Sequence, residues 1–441
     1  MEALPQILAP AEPLVGSYFV STYPPFSCWN DRGRAVFRQL LDRPPPAAEV
    51  APLGLYVHVP FCAQRCQFCY YLSHDDRPDQ VDRYLDALAR ELSLYGDTPR
   101  LAGREPEFVY FGGGTPSLLS VSRIEKLIRA VQRVFPWGAV REATFECAPR
   151  SVTSAKCRAL REAGITRVSL GVQQLDDEVL RLNGRIHLVR DVERAYEIVR
   201  RAGFDVINVD LIAGLCGQTD ESFERSLDRV IELAPESVTI YQLEIPFNTP
   251  LYRAIRSGVR SADPPTWAER RARLARGLSR LEAVGYTVSS GYAAVRDPAR
   301  HRFVYQAEQY RGADLLGLGV ASFSYLDGVH QQNLDALERY LEALAARRLP
   351  LGRGYRLDAA ERLVREFVLQ LKLGGVDAHD FRLKFGEEPV QRFAGALSHF
   401  VNRGWITVDG DAVRLTRDGL LRVDRMIPAF YLPQHQGVRY S

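Results

Sequence analysis

The chain has 441 residues, 46% of them hydrophobic and 25% charged, with a formal net charge of +3. That length supports two or three domains with a well-buried core, and the composition is that of a globular protein. No apolar run approaches the roughly 18 residues of a membrane span, and the nearly balanced charge excludes a dedicated nucleic-acid binder, so neither membrane nor nucleic acid is expected as a partner.

The first stretch, MEALPQILAPAEP, lacks a basic segment followed by an apolar one, so no signal peptide is expected. Four cysteines, Cys28, Cys147, Cys157 and Cys216, are scattered singly rather than spaced as a disulfide framework, which fits a reducing cytoplasm. The proline-rich DRPPPAAEVAPLG, from Asp42 to Gly54, cannot hold regular hydrogen-bonded structure and reads as a linker. Residues 1–50 are therefore taken as an N-terminal arm with its linker, 51–345 as the main domain and 346–441 as a small C-terminal domain.

In the main domain the apolar period switches repeatedly. GLYVHVP (Gly54 to Pro60) is a predicted strand, and VDRYLDALARELSLYG a helix with Val81, Tyr84, Leu85, Leu88 and Leu92 on one face. EFVYFGGG, EATFECAP, RVSLGVQ, VINVDLIAG and SVTIYQLEI are five further strands, each separated from the next by a helical pattern such as RIEKLIRAVQRVF or RDVERAYEIVRRAG. Six successive strand–helix units predict a partial (β/α)6 barrel of the TIM type, with a doubly wound open sheet as the other solution. Barrel chemistry sits where strands end. The strand ends here carry Gly112–Gly114 with Thr115, then Glu146, Gln173, Asp210 and Glu244. In the C-terminal part, RLVREFVLQLKL and PVQRFAGALSHFVNRG are amphipathic, and WITVDGDAVRL carries the hairpin turn Asp409-Gly410. This is a winged-helix-like pattern, but Arg392 and Arg403 alone do not make a basic recognition helix, so it is read as a lid over the barrel mouth.

Directly after the first strand comes CAQRCQFCYY, with Cys62, Cys66 and Cys69 spaced C-x3-C-x2-C. Three thiolates so close serve an iron–sulfur cluster, a zinc ion or a redox pair. Zinc sites close with four ligands, and no second Cys/His pair with zinc spacing follows. A redox pair explains Cys66 and Cys69 but leaves Cys62 over. Three cysteines on a strand-end loop suit a 4Fe–4S cluster with one iron left open.

YVHVPFCAQRCQFC resembles the signature of radical S-adenosylmethionine (radical SAM) enzymes, and more narrowly that of the oxygen-independent coproporphyrinogen III oxidase family. STYPPF, YFGGGTPS, FECAPRSV, RVSLGVQQLDDEVLRLNGR, INVDLIAGL and QYRGADLLGLGVASFS follow in that family's order, and the tail from Tyr355 to Leu432 is similar to its small C-terminal domain. The resemblance implies that Cys62, Cys66 and Cys69 ligate three irons while the methionine part of S-adenosylmethionine chelates the fourth. Reductive cleavage then yields a 5′-deoxyadenosyl radical that abstracts hydrogen. It further implies that Tyr56, Phe68, Gly113, Gly114, Thr115 and Glu146 contact the cofactor, the glycines allowing close approach and offering N–H donors. Gln173, Arg185 and Asp210 match positions that hold a second S-adenosylmethionine, and Leu243 and Phe323 align with two more cofactor contacts.

The resemblance breaks at one point. The oxidase has a fourth cysteine two residues after the third, where this chain has Tyr71. Tyr71 and Glu244 are the expected catalytic residues, with Gln242, Tyr23 and Trp29 lining the substrate space. The altered residue points to class C radical methyltransferases and cyclopropanases. The leading expectation is thus transfer of a methyl or methylene group to an sp2 carbon of a small molecule, with porphyrinogen decarboxylation and heme delivery as alternatives. A flavodoxin or ferredoxin reductant and a monomeric state complete the expectation.

Overall fold

The computed structural model describes residues 14, 17–46, 50–258 and 263–440. Residues 1–13, on which the expected lack of a signal peptide rests, lie outside them, as do residues 47–49 of the proline-rich linker. No described helix is long and apolar enough to cross a membrane.

The predicted strands form as β1 (Leu53–Val59), β2 (Phe108–Gly113), β3 (Glu142–Cys147), β4 (Arg167–Gln173), β5 (Val206–Ala213) and β6 (Ser237–Gln242). They lie side by side in sequence order and pair in parallel. A seventh parallel strand, β7 (Asp314–Leu318), pairs with the outer edge of β1. Sequential order without a reversal is that of a barrel wall and not of a doubly wound sheet. Among the described residues the wall does not close. Beyond β6 it is extended by Ala293–Val295 and Thr287–Val288, and beyond β7 by Phe323–Leu326, Val329–Asn333 and Leu351–Arg356, all antiparallel.

The strands alternate, and the alternation sorts their chemistry. Val57, Val109, Phe111, Phe145, Val168, Leu170, Val209 and Ile240 are buried in one apolar cluster with Leu85, Leu88, Ile124, Ile128, Val192 and Leu227 from the crossover helices. The opposite face carries Tyr56 and His58, Tyr110 and Gly112, Thr144 and Glu146, Ser169 and Gly171, Asn208 and Asp210, Thr239 and Tyr241. Parallel register sets these in layers: Tyr56 is level with Tyr110, Glu146 with Ser169, and Gly171 with Asp210 and then Thr239. Helix starts are capped as composition requires, for example Ser120 accepting from the Arg123 N–H and Thr219 from the Ser222 N–H.

The C-terminal part has its own apolar cluster around Val364, Phe367, Phe393, Phe400, Ile406 and Phe430. The Asp409-Gly410 hairpin forms with Gly410 at φ +54, and a third strand, Gly375–Asp377, joins it. This cluster includes Val20 and Tyr23, so the N-terminal arm is built into the same core.

Candidate active site

The site is assembled on the rim where β1 to β6 end. Cys62, Cys66 and Cys69 are free and half-buried. Burial pushes the Cys62 thiol up and the Cys69 thiol up to about 11, so metal binding must displace their protons. Hydrogen-bond donors stand beside two of the sulfurs. The Thr115 hydroxyl is 3.6 Å from Cys62 Sγ, and Arg185 Nη1 is 3.2 Å from Cys66 Sγ. Thiolate sulfurs with a hydroxyl and a guanidinium at hand are the chemistry an anionic iron–sulfur cluster needs. Among the described residues no three Cys, His, Asp or Glu side chains converge as on a single ion. A cluster spreads its ligands over three irons, and the loop spacing carries the ligand assignment.

Next to the loop, Glu146 accepts from the Tyr110 hydroxyl at 2.5 Å and from the Gly113 N–H at 3.0 Å. Burial raises its carboxyl to about 7, against the pull of these two donors. The glycine run departs from the expectation that it offers N–H groups to a ligand. The Gly113 N–H is spent on Glu146, that of Gly114 on the Val59 carbonyl and that of Thr115 on the Phe61 carbonyl. What the glycines supply is clearance. Gly113 has φ +113, and a Cβ there stands 2.5 Å from the His58 ring, while one on Gly114 stands 2.7 Å from the Phe61 carbonyl oxygen. His58 is buried, held neutral by desolvation that lowers it to about 4, and pairs through Nδ1 with the Tyr56 hydroxyl at 3.1 Å. Tyr56 stacks on Tyr110 at 5.9 Å.

Gln173, Arg185 and Asp210 come together around Gly171. A Cβ on Gly171 stands 3.1 Å from Gln173 Nε2 and 3.8 Å from Arg185 Nη2, and Asp210 is Gly171's register partner. Gln173 is in the left-handed region, φ +67, at a break in the β4–β5 register that turns its side chain back over the sheet end. Arg185 Nη2 donates to the Gly171 carbonyl at 2.7 Å, while its Nε is buried without a partner among the described residues. Asp210 accepts from Ser169 Oγ at 2.8 Å and Asn208 Nδ2 at 2.9 Å, and burial raises it to about 6.

Glu244 lies beyond β6 with its carboxyl raised to about 7 by burial and one oxygen unpartnered among the described residues. Tyr71 and Tyr241 keep 47% and 39% exposure, yet their hydroxyls are held well above the usual range. For Tyr71 the first cause is Tyr70, and for Tyr241 it is burial. Tyr241 lies on the strand face of Asp210, whose register partner is Thr239, so its accessible surface opens on the cavity at the barrel mouth. Tyr71 stacks on Tyr70 with centroids 4.6 Å apart.

The arm runs across this cavity. Ser17 Oγ accepts from the Ile245 N–H, Tyr18 meets Phe247, and Phe19 meets Tyr241 and Tyr292. Lys372 Nζ sits 3.4 Å over the Phe19 ring, donates to the Val20 carbonyl, and pairs with Asp424 at 2.8 Å. Tyr440 accepts from the Ser21 and Thr22 N–H groups at 2.7 and 3.1 Å.

Other expected site residues fall elsewhere. Tyr23 is fully buried and bonded to His435, and Trp29 stacks on His330 at 4.7 Å, so both anchor the arm instead of lining the substrate space. Phe323 packs on Phe26 at 4.5 Å. Leu243 is core, buried with Ile212, Leu215 and Ile245, and Phe68 packs against that cluster. Gln242 ties to the Leu421 carbonyl. Sequence reasoning missed His58, Tyr110, Ser169 and Asn208. Each stands two residues from another residue of the same strand face, His58 from Tyr56, Tyr110 from Gly112, Ser169 from Gly171 and Asn208 from Asp210, a signal that strand periodicity does contain.

Residues 56–230 match the model of the radical SAM superfamily, and 357–422 that of the HemN C-terminal domain. The chain is 30% identical over 381 residues to the heme chaperone HemW of Bacillus subtilis, covering 85% of this chain and 98% of that protein. It is 31% identical to the anaerobic coproporphyrinogen III oxidase 1 of Cereibacter sphaeroides, covering 88% of each. The solved coproporphyrinogen III oxidase HemN of Escherichia coli, described as a radical SAM enzyme, superposes with a TM-score of 0.81 at 29% identity, over 93% of this chain and 96% of that one.

Proposed function

The chain belongs to the radical SAM superfamily and, within it, to the family of oxygen-independent coproporphyrinogen III oxidases and HemW, and from that premise we propose that it is an oxidative decarboxylase of the coproporphyrinogen III type. The observation that carries the reading is the convergence of Gln173, Arg185 and Asp210 around Gly171, beside but separate from the Glu146–Gly113 pair. Two polar ligand positions at one barrel mouth support two molecules of S-adenosylmethionine. The expectation of methyl or methylene transfer, drawn from Tyr71, finds no support in these relatives and gives way to this one.

The cluster and S-adenosylmethionine, when bound, supply a carbon-centred radical for hydrogen abstraction. Cys62, Cys66 and Cys69 hold the cluster. Tyr56, Tyr110 and Glu146 position the first S-adenosylmethionine, with Glu146 as hydrogen-bond acceptor. At the second position the unpartnered Arg185 Nε is matched to a carboxylate and Asp210 to a donor group. Glu244, raised to about 7, is poised to take or give a proton near neutral pH. The arm and Tyr440 keep water from the mouth.

The test is anaerobic incubation of the cluster-loaded protein with coproporphyrinogen III, S-adenosylmethionine and a one-electron reductant. Carbon dioxide and 5′-deoxyadenosine are expected together. A heme-delivery reading is favoured by the 98% coverage of HemW. It predicts instead that coproporphyrinogen persists while heme binds stoichiometrically.

A further inference from the structure

The turn that carries Arg185 is built rigidly against the cysteine loop. The buried Asn183 side chain donates to the carbonyls of Val179 and Cys216 at 2.8 and 2.9 Å and accepts from the Cys216 N–H at 3.1 Å. Its backbone carbonyl accepts from the Gln67 N–H at 3.1 Å, and the Gly184 carbonyl accepts from Gln64 Nε2 at 3.2 Å. Gly184, at φ +72, lets the Gln67 backbone come so close that an added Cβ stands 3.3 Å from it. Two of these ties go to residues inside the Cys62–Cys69 loop itself. The guanidinium is then fixed at both ends, Nη2 on the Gly171 carbonyl at 2.7 Å and Nη1 on Cys66 Sγ at 3.2 Å.

We propose that Arg185, besides facing a ligand, is a positioning residue for the iron–sulfur cluster, and that its charge and N–H bond to Cys66 raise the cluster's reduction potential. A reduced cluster carries one more negative charge than an oxidised one. A cation at hydrogen-bond distance from a ligating sulfur stabilises the more negative state by the larger amount, and an N–H···S bond acts in the same direction. Arg65 does not substitute for it, because its Nη2 reaches the Cys69 and Asn248 carbonyls and not a sulfur. The inference rests on the cluster alone and not on a second S-adenosylmethionine.

Wild type, Arg185→Lys and Arg185→Met are loaded with iron and sulfide anaerobically, without S-adenosylmethionine. Iron is counted, and the midpoint potential is read by EPR-monitored redox titration. At equal iron, Arg185→Met is expected to hold the electron about tenfold less strongly, a fall of about 59 mV for one electron, with Arg185→Lys between. A potential unchanged in Arg185→Met overturns the proposal. If Arg185→Met loses iron, Asn183→Ala decides: it loosens the turn and leaves every ligand in place. A lowered potential there supports the proposal, and an unchanged one overturns it. Equilibrium dialysis of S-adenosylmethionine on the same samples reports separately on the two-molecule reading.

Discussion

Glu91 offers a quantitative test of how a crossover helix is held against the sheet where β7 ends. It lies in the helix Pro78–Gly96, is wholly buried, and accepts from the Gly319 N–H at 2.7 Å, Asn333 Nδ2 at 2.6 Å and the Tyr340 hydroxyl at 2.6 Å. Two turns earlier, Tyr84 donates to the His58 carbonyl at 2.7 Å and so ties the same helix to the end of β1. Burial raises the Glu91 carboxyl from its usual 4.5 to about 7, and the three donors offset only part of that cost. Its folded-state value thus exceeds its unfolded one, and the native state keeps a proton that the unfolded chain has lost. The contribution to stability is fully present below about pH 4.5 and is lost as pH rises to about 7. At about 1.4 kcal/mol for each pH unit between the two values, the loss is roughly 3 kcal/mol. Glu91→Gln keeps the shape and one acceptor but does not titrate, and is expected to cost about 1 kcal/mol at low pH. With rising pH the mutant should draw level with wild type and then pass it, because only wild type pays for the buried charge. Glu146 and Glu244 titrate over the same range in both proteins and cancel in the comparison. Thermal unfolding by circular dichroism between pH 5 and 8 gives the difference directly. A difference that stays constant across that window refutes the reasoning.

Cys62→Ala, Cys66→Ala or Cys69→Ala should each abolish the visible absorbance of a cluster of about four irons, while single alanine substitutions of Cys28, Cys147, Cys157 and Cys216 leave it intact; iron counting and the spectrum check this. Tyr71→Phe should keep full iron content and lower turnover about tenfold if its hydroxyl faces the reacting substrate. Unchanged kinetics would show that it only stacks on Tyr70. Lys372→Met should destabilise by about 3–5 kcal/mol by leaving the Asp424 carboxylate, still bonded to the Val20 N–H and the Tyr292 hydroxyl, without its cation, and the double variant with Asp424→Leu should recover part of that loss; additive effects in denaturant melts would show the pair is uncoupled.

The strand–helix alternation and the identity of the strand ends were legible in the sequence, because both arise from backbone periodicity within a few residues. Val57, Val109 and Val168 face the helices and Tyr56, Tyr110 and Ser169 face the cavity by the pleat alone. The spacing of Cys62, Cys66 and Cys69 was legible for the same reason. Other features depend on the register and close approach of segments far apart in the chain. The placement of Asp210 beside Gly171 needed the β4–β5 register. The contact of Arg185 with Cys66 needed the turn at Asn183 to dock on Cys216 and Gln67. The Gly113–Thr115 stretch looked like a set of donors, but the N–H groups of Gly113, Gly114 and Thr115 are consumed by Glu146, Val59 and Phe61, partners that only the folded rim brings near. Tyr23 and Trp29 looked like substrate contacts for want of knowing that His435 and His330, some 300 to 400 residues away, claim them. Local geometry repeats along the chain and can be read from it. Which distant groups satisfy a buried donor or acceptor is decided only when the tertiary structure removes water from both.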